Sequence, residues 1–92
     1  VMATTETIKQ RTLVCDVYME VEEYLRTKSN DLSDKLKNAA VDNADKEALS
    51  DIVKDGELSL ALLRLANNIQ VEHVKYLKDT VRMSQTILNK YE

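Results

Sequence analysis

Apolar residues recur every three or four positions between residues 5 and 28, and polar residues occupy the positions between them. This spacing places the apolar residues along one stripe of a helix. The stripe comprises Leu13, Val14, Val17, Tyr18, Val21, Tyr24 and Leu25. The pattern therefore predicts a first amphipathic helix over residues 5–28 that buries this stripe.

The middle of the chain carries several helix-boundary signals. Ser29, Asn30 and Asp31 are three consecutive residues that favour the N-cap position. A second helix over residues 31–40 and a third over residues 44–54 follow, with a bend near residues 42–43 between them. Gly56 is the only glycine, and a glycine just after a helix commonly ends it. We therefore expect two short helices here, the second ending at Gly56.

The segment from residue 57 to residue 91 contains no helix breaker and predicts a long last helix. One seam consists of Leu62, Leu65, Ile69, Tyr76, Met83 and Ile87. A second seam consists of Leu63, Val74, Leu77, Val81 and Leu88, and smaller or polar residues (Ala66, His73, Thr80 and Ser84) lie between the two. A helix packed between two neighbours has this pattern. Asn67 and Asn68 are the one point at which it could kink.

These elements predict an all-α fold, a three- to four-helix antiparallel bundle with a long C-terminal helix, in a single domain of 92 residues. The chain contains no Pro, Trp or Phe, which argues against a sheet.

The last helix would extend beyond the others at its C-terminal end. Exposed apolar residues there predict an interface, most simply a homodimer. The candidate interface residues are Tyr76, Val81, Met83, Ile87, Leu88 and Tyr91. The alternative is a kink that folds this end back onto the core.

The charge and cysteine content favour a small acidic cytoplasmic protein. A net charge of −3 gives no general attraction to nucleic acid or to an anionic membrane. The single cysteine cannot form an intramolecular disulfide, and no apolar run approaches the length of a membrane span. We therefore expect a protein partner and no membrane contact.

Few residues are suited to catalysis or metal binding. His73 is the only histidine and lies within an apolar face, which is more typical of a hydrogen-bonded core or interface residue than of a catalytic one. Cys15 is expected to act as a small hydrophobic residue, and Asp16, Glu20 and Glu23 are expected to form a solvated face. The sequence therefore predicts no enzyme, no cofactor and no metal.

A basic strip on the last helix supports an alternative function. It consists of Arg64, Lys75, Lys78 and Arg82. Four cations without interleaved aromatics are more typical of a solvated face, so nucleic acid is an improbable partner. The main hypothesis is a non-catalytic helical interaction module of the adaptor, chaperone or inhibitor type that associates with itself through its last helix. The alternative is a small regulatory protein that contacts nucleic acid through the basic strip.

Overall fold

A computed structural model describes residues 4–39 and 45–91 as two long helices that pack antiparallel. Helix α1 spans Thr5–Ala39 and helix α2 spans Lys46–Asn89. The hairpin is narrow, with principal extents of 69 × 18 × 14 Å. The all-α prediction is confirmed for the described residues. The predicted three- to four-helix bundle is wrong, because the chain forms an extended two-helix hairpin.

Helix α1 continues through the segment that was expected to separate the first two helices. Ser29 is almost fully buried, and its hydroxyl lies 2.8 Å from the hydroxyl of Ser59 on α2. The same hydroxyl donates to the Ser59 carbonyl, and the Ser59 hydroxyl donates to the Ser29 carbonyl. The polar groups of Ser29 thus find their hydrogen-bond partners on α2, and Ser29 does not cap a new helix. This contact explains why the predicted boundary at residues 29–31 is wrong.

The predicted helix end at Gly56 is also wrong, because Gly56 lies inside α2. The true start of α2 is capped by Asp45, whose carboxylate accepts a hydrogen bond of 2.8 Å from the Ala48 backbone N–H. From there α2 runs without interruption through Asn67 and Asn68. The predicted bend near residues 42–43 falls outside the described residues.

The C-terminal end of α2 does not extend beyond the rest of the molecule. Helix α1 is 35 residues long rather than the expected 24 or so, and its first turn therefore reaches the end of α2. Thr4 and Thr5 line a shallow groove together with Ile87 and Tyr91. The predicted overhang is wrong for the same reason that the break at residues 29–31 is wrong.

The two helices meet along a seam in which positions alternate by three and four residues, the spacing of a coiled coil. On α1 the seam comprises Ile8, Arg11, Cys15, Tyr18, Glu22, Leu25, Ser29, Leu32 and Leu36. On α2 it comprises Ala48, Ile52, Asp55, Ser59, Leu62, Ala66, Ile69, His73, Tyr76, Thr80, Met83 and Ile87. The most buried positions near its middle are small (Ser29, Ser59 and Ala66), which permits a close approach of the two backbones.

The stripe that was expected to be buried on α1 faces largely outward. Leu13, Val17 and Tyr24 are 58%, 58% and 62% exposed. Only Tyr18 and Leu25 of the predicted stripe belong to the seam. The prediction is wrong because the seam follows a different repeat, one that includes polar residues with partners on α2.

A single substitution at Gly56 distinguishes a helical glycine from a helix stop. A Cβ added there would lie 3.9 Å from Leu36 Cδ1, an ordinary van der Waals contact. Because glycine inside a helix is less favourable than alanine, Gly56→Ala is expected to stabilise the hairpin by about 0.5–1 kcal/mol. Urea denaturation followed by circular dichroism measures this change. A loss of stability would instead indicate the left-handed conformation of a helix end.

Candidate interaction surface

The seam holds a cluster of polar and aromatic side chains near the N-terminal end of α1. The Arg11 guanidinium lies over the Tyr76 ring, 3.8 Å from its centroid. Its Nε donates a 2.8 Å hydrogen bond to Thr80 Oγ1, and its Nη2 donates to the Tyr76 carbonyl oxygen at 3.2 Å. Arg11 thus ties α1 to two successive turns of α2 through a cation–π contact and two hydrogen bonds.

His73 extends this cluster. Its Nδ1 lies 3.2 Å from Glu22 Oε1, and both side chains are largely buried between the helices. The imidazole stacks on Tyr18, with ring centroids 5.5 Å apart and planes within 11° of each other. The prediction of a hydrogen-bonded histidine in a helix interface is confirmed. Cys15 is also buried in the seam as a free thiol, in agreement with its expected role as a small hydrophobic residue.

A long row of exposed apolar side chains lies on α2, beside the seam. We call it the α2 outer stripe. Its twelve positions alternate by three and four residues and are Leu49, Val53, Gly56, Leu60, Leu63, Asn67, Gln70, Val74, Leu77, Val81, Ser84 and Leu88. Eight of the twelve are Leu or Val, and all of these except the half-buried Leu63 are 43–60% exposed. The stripe follows the spacing of a coiled coil but has no helix packed against it within the described chain.

A shorter apolar surface lies on the other side of the hairpin. It consists of Val14, Val17, Val21 and Tyr24 on α1. Arg26, on the opposite flank of the α1 seam from Val21, donates hydrogen bonds to Asn67 Oδ1 and Gln70 Oε1 in the α2 outer stripe. The Arg26 contacts therefore place the α2 outer stripe and the α1 surface on opposite faces of the hairpin.

The structure separates the candidate interface residues into two groups. Tyr76, Met83 and Ile87 are half-buried in the seam with α1. Val81 and Leu88 are exposed members of the α2 outer stripe, and Tyr91, just past the helix end, is exposed as well. The six residues therefore do not form one surface. The outer stripe coincides instead with the second seam of the sequence pattern, continued towards the start of α2.

The basic strip is partly neutralised by carboxylates on the same helix. Lys75 pairs with Glu72 at 3.6 Å, and Arg82 pairs with Asp79 at 3.5 Å. Lys78 lines a shallow groove together with Val71 and Val74, and most of the surface of this groove is apolar. Arg64 is exposed and lies about three helical turns before Lys75. The strip thus offers a weak and discontinuous positive surface.

Acidic residues on α1 form no metal-binding arrangement. Asp16, Glu20 and Glu23 line a shallow surface groove of about 260 Å³ with Met19. Among residues 4–39 and 45–91, no group of three or more His, Cys, Asp or Glu side chains is placed to hold a metal ion. Neither helix, over its described length, is both long and apolar enough to cross a membrane.

Comparisons with known proteins give no assignment for this geometry. No protein-family model, no curated protein sequence and no solved structure matches the chain significantly.

The Arg11 contacts predict a clear difference between two arginine substitutions. Arg11→Ala removes two hydrogen bonds and the cation–π contact in the seam, so we expect a loss of about 1–2 kcal/mol in the free energy of unfolding. Arg82→Ala is the matched control, because Arg82 makes only an exposed pair within its own helix and should change stability by less than about 0.5 kcal/mol. Urea denaturation at one protein concentration compares them. Equal losses would show that the Arg11 contacts do not hold the seam.

Proposed function

We propose that this chain is a non-catalytic helical interaction module that associates through the α2 outer stripe. The observation that carries the proposal is the coincidence of coiled-coil spacing, aliphatic side chains and exposure along almost all of α2. A monomer rarely exposes an apolar surface of this extent unless another molecule covers it. Docking of one helix face against another is the recognition mode that fits.

The arrangement of the two helices supports this proposal. A third of the seam positions between α1 and α2 are polar or charged, among them Arg11, Glu22, Ser29, Ser59 and His73. A further eight aliphatic side chains lie outside the seam, in the α2 outer stripe. An association that buries them supplies apolar burial that a two-helix hairpin of this size lacks on its own.

The free energy available from the stripe is sufficient for association. Full burial of a Leu or Val side chain is worth roughly 1.5–3 kcal/mol, and the stripe residues have about half of that still to gain. The eight aliphatic residues therefore offer on the order of 8 kcal/mol per copy, or about 16 kcal/mol for a pair of copies. This amount is comparable with the roughly 4–15 kcal/mol that association costs in lost translational and rotational freedom.

Two leucine substitutions on α2 test the proposal. Leu77, in the outer stripe, and Leu65, outside it, are 45% and 48% exposed. Leu77→Asp places a carboxylate in the apolar docking face, and we expect self-association to weaken by at least about 100-fold, or about 3 kcal/mol. Leu65→Asp, with the same change of helix propensity, is expected to leave association unchanged. Light scattering on a sizing column across a concentration series measures the mass of each variant.

Two results would contradict the proposal. A wild-type protein that stays monomeric at every concentration would contradict self-association through the α2 outer stripe. Loss of association in Leu65→Asp but not in Leu77→Asp would move the docking face to the opposite side of α2, next to the α1 surface of Val14, Val17, Val21 and Tyr24.

A further inference from the structure

The α2 outer stripe has an internal symmetry that identifies its occupant. Its twelve positions divide into two halves about a point between Asn68 and Ile69. Read outward from that point, the N-terminal half is Asn, Leu, Leu, Gly, Val, Leu and the C-terminal half is Gln, Val, Leu, Val, Ser, Leu. Amide corresponds to amide, aliphatic residues to aliphatic residues, and each small residue to a valine. A surface with this pattern is complementary to a reversed copy of itself.

We propose that a second copy of this chain covers the stripe, with the two α2 helices antiparallel about a two-fold axis that passes between Asn68 and Ile69. This inference rests on the proposed function and names its partner. In antiparallel coiled coils the two alternating positions of the repeat face each other across the interface. The layers then pair Leu49 with the partner's Leu88, Val53 with the partner's Ser84, Gly56 with the partner's Val81, Leu60 with the partner's Leu77, Leu63 with the partner's Val74, and Asn67 with the partner's Gln70.

The two amides select this register over its neighbours. A slide of seven residues in one direction places Asn67 against the partner's Leu77, and a slide in the other places it against the partner's Leu63. Either slide buries amide groups against aliphatic side chains, where they lose hydrogen bonds to water without replacement. In the proposed register the amides face each other at the centre. A buried polar pair that fixes the register is a common feature of coiled coils.

Arg26 prepares these amides for that contact. Its Nη2 donates to Asn67 Oδ1 at 3.3 Å and to Gln70 Oε1 at 3.0 Å within the same copy. Each carbonyl oxygen has a second lone pair, so besides the hydrogen bond from Arg26 it can accept one from the partner's NH2 group while its own NH2 group donates. Helix α1 thus contributes to the centre of the interface through the orientation of the α2 amides.

Packing and charge favour the antiparallel over the parallel arrangement. A parallel pair would place Gly56 against the partner's Gly56 and Ser84 against the partner's Ser84, which leaves voids at both layers. The antiparallel pair places each of these small residues against a valine. At the edge of the stripe, it also brings Glu57 next to the partner's Lys78, whereas in a parallel pair these two residues lie far apart along the helices.

Cysteine pairs test the register directly. The protein is the full chain with Cys15→Ala, which removes the only native thiol. Leu60→Cys with Leu77→Cys is expected to give a covalent dimer in a glutathione redox buffer. The two positions are 17 residues apart in one helix, about 25 Å, so they cannot form a disulfide within one copy. Leu60→Cys with Ser84→Cys reports the register shifted by seven residues and is expected to give little covalent dimer.

Single variants complete the test. Leu60→Cys alone and Leu77→Cys alone should not cross-link, because each position lies about 25 Å from its counterpart in the antiparallel pair. Cross-linking of either single variant would overturn the antiparallel arrangement, and stronger cross-linking of Leu60→Cys with Ser84→Cys would overturn the register. In both cases the proposed association through the α2 outer stripe would stand.

The mass of the reduced variants separates the remaining outcomes. A dimer by light scattering that yields no covalent product from either pair would overturn the register, and the mass of Leu77→Asp would then show whether the stripe is still the docking surface. A monomer at every concentration would overturn the second copy as occupant together with the proposed self-association.

Asn67→Leu with Gln70→Leu, introduced into both cysteine pairs, is expected to make the shifted pair cross-link as well as the central one. No gain for the shifted pair would show that the amides do not select the register.

Discussion

The contact between Ser29 and Ser59 is the constraint on which the rest of the hairpin depends. Two small residues meet with hydroxyls 2.8 Å apart near the middle of the seam, and Ala66 is fully buried two turns further along. Larger side chains at these positions would separate the backbones. Because the serines bond to each other, α1 does not end at residue 29, and its full length packs along α2. The repeat that contains these residues then decides which side chains are enclosed and which remain outside.

The enclosed repeat has polar or charged side chains at a third of its positions, and the exposed α2 outer stripe has Leu or Val at eight of its twelve. Arg11, Glu22 and His73 are held in the seam by hydrogen bonds, an ion pair and stacking with tyrosine. Such contacts require defined geometry and therefore fix the alignment of the two helices, while their net contribution to stability is modest. Apolar burial is non-directional and larger, and the eight Leu and Val side chains of the outer stripe have much of it still to gain. The hairpin is thus well suited to be a rigid half of a larger helical assembly.

The sequence pattern predicted the helical content, the buried Cys15 and the hydrogen-bonded His73, whereas the predicted packing of the last helix between two neighbours is not found within the hairpin. It did not predict the correct seam, because the partners of polar residues lie up to about 70 positions away along the chain. In the sequence alone, Glu22 and Ser29 look like residues of a solvated helix face, because their partners His73 and Ser59 are known only from the structure. Local boundary signals failed for the same reason, since packing along a long partner helix outweighs a capping preference of about 1 kcal/mol. The one signal in the sequence was the spacing: the seam positions, polar ones included, are separated alternately by three and four residues.

Small-angle X-ray scattering on an absolute scale tests the central claim most directly. The proposed two-fold axis crosses α2 near its middle, so two hairpins overlap along nearly their whole length. The account predicts a particle of twice the chain mass whose maximum dimension stays close to the 69 Å extent of one hairpin and whose cross-section is thicker. A single-chain mass at all concentrations would contradict it, and so would a doubled mass with a maximum dimension of about 80 Å or more, because a slide by one seven-residue repeat lengthens the particle by about 10 Å.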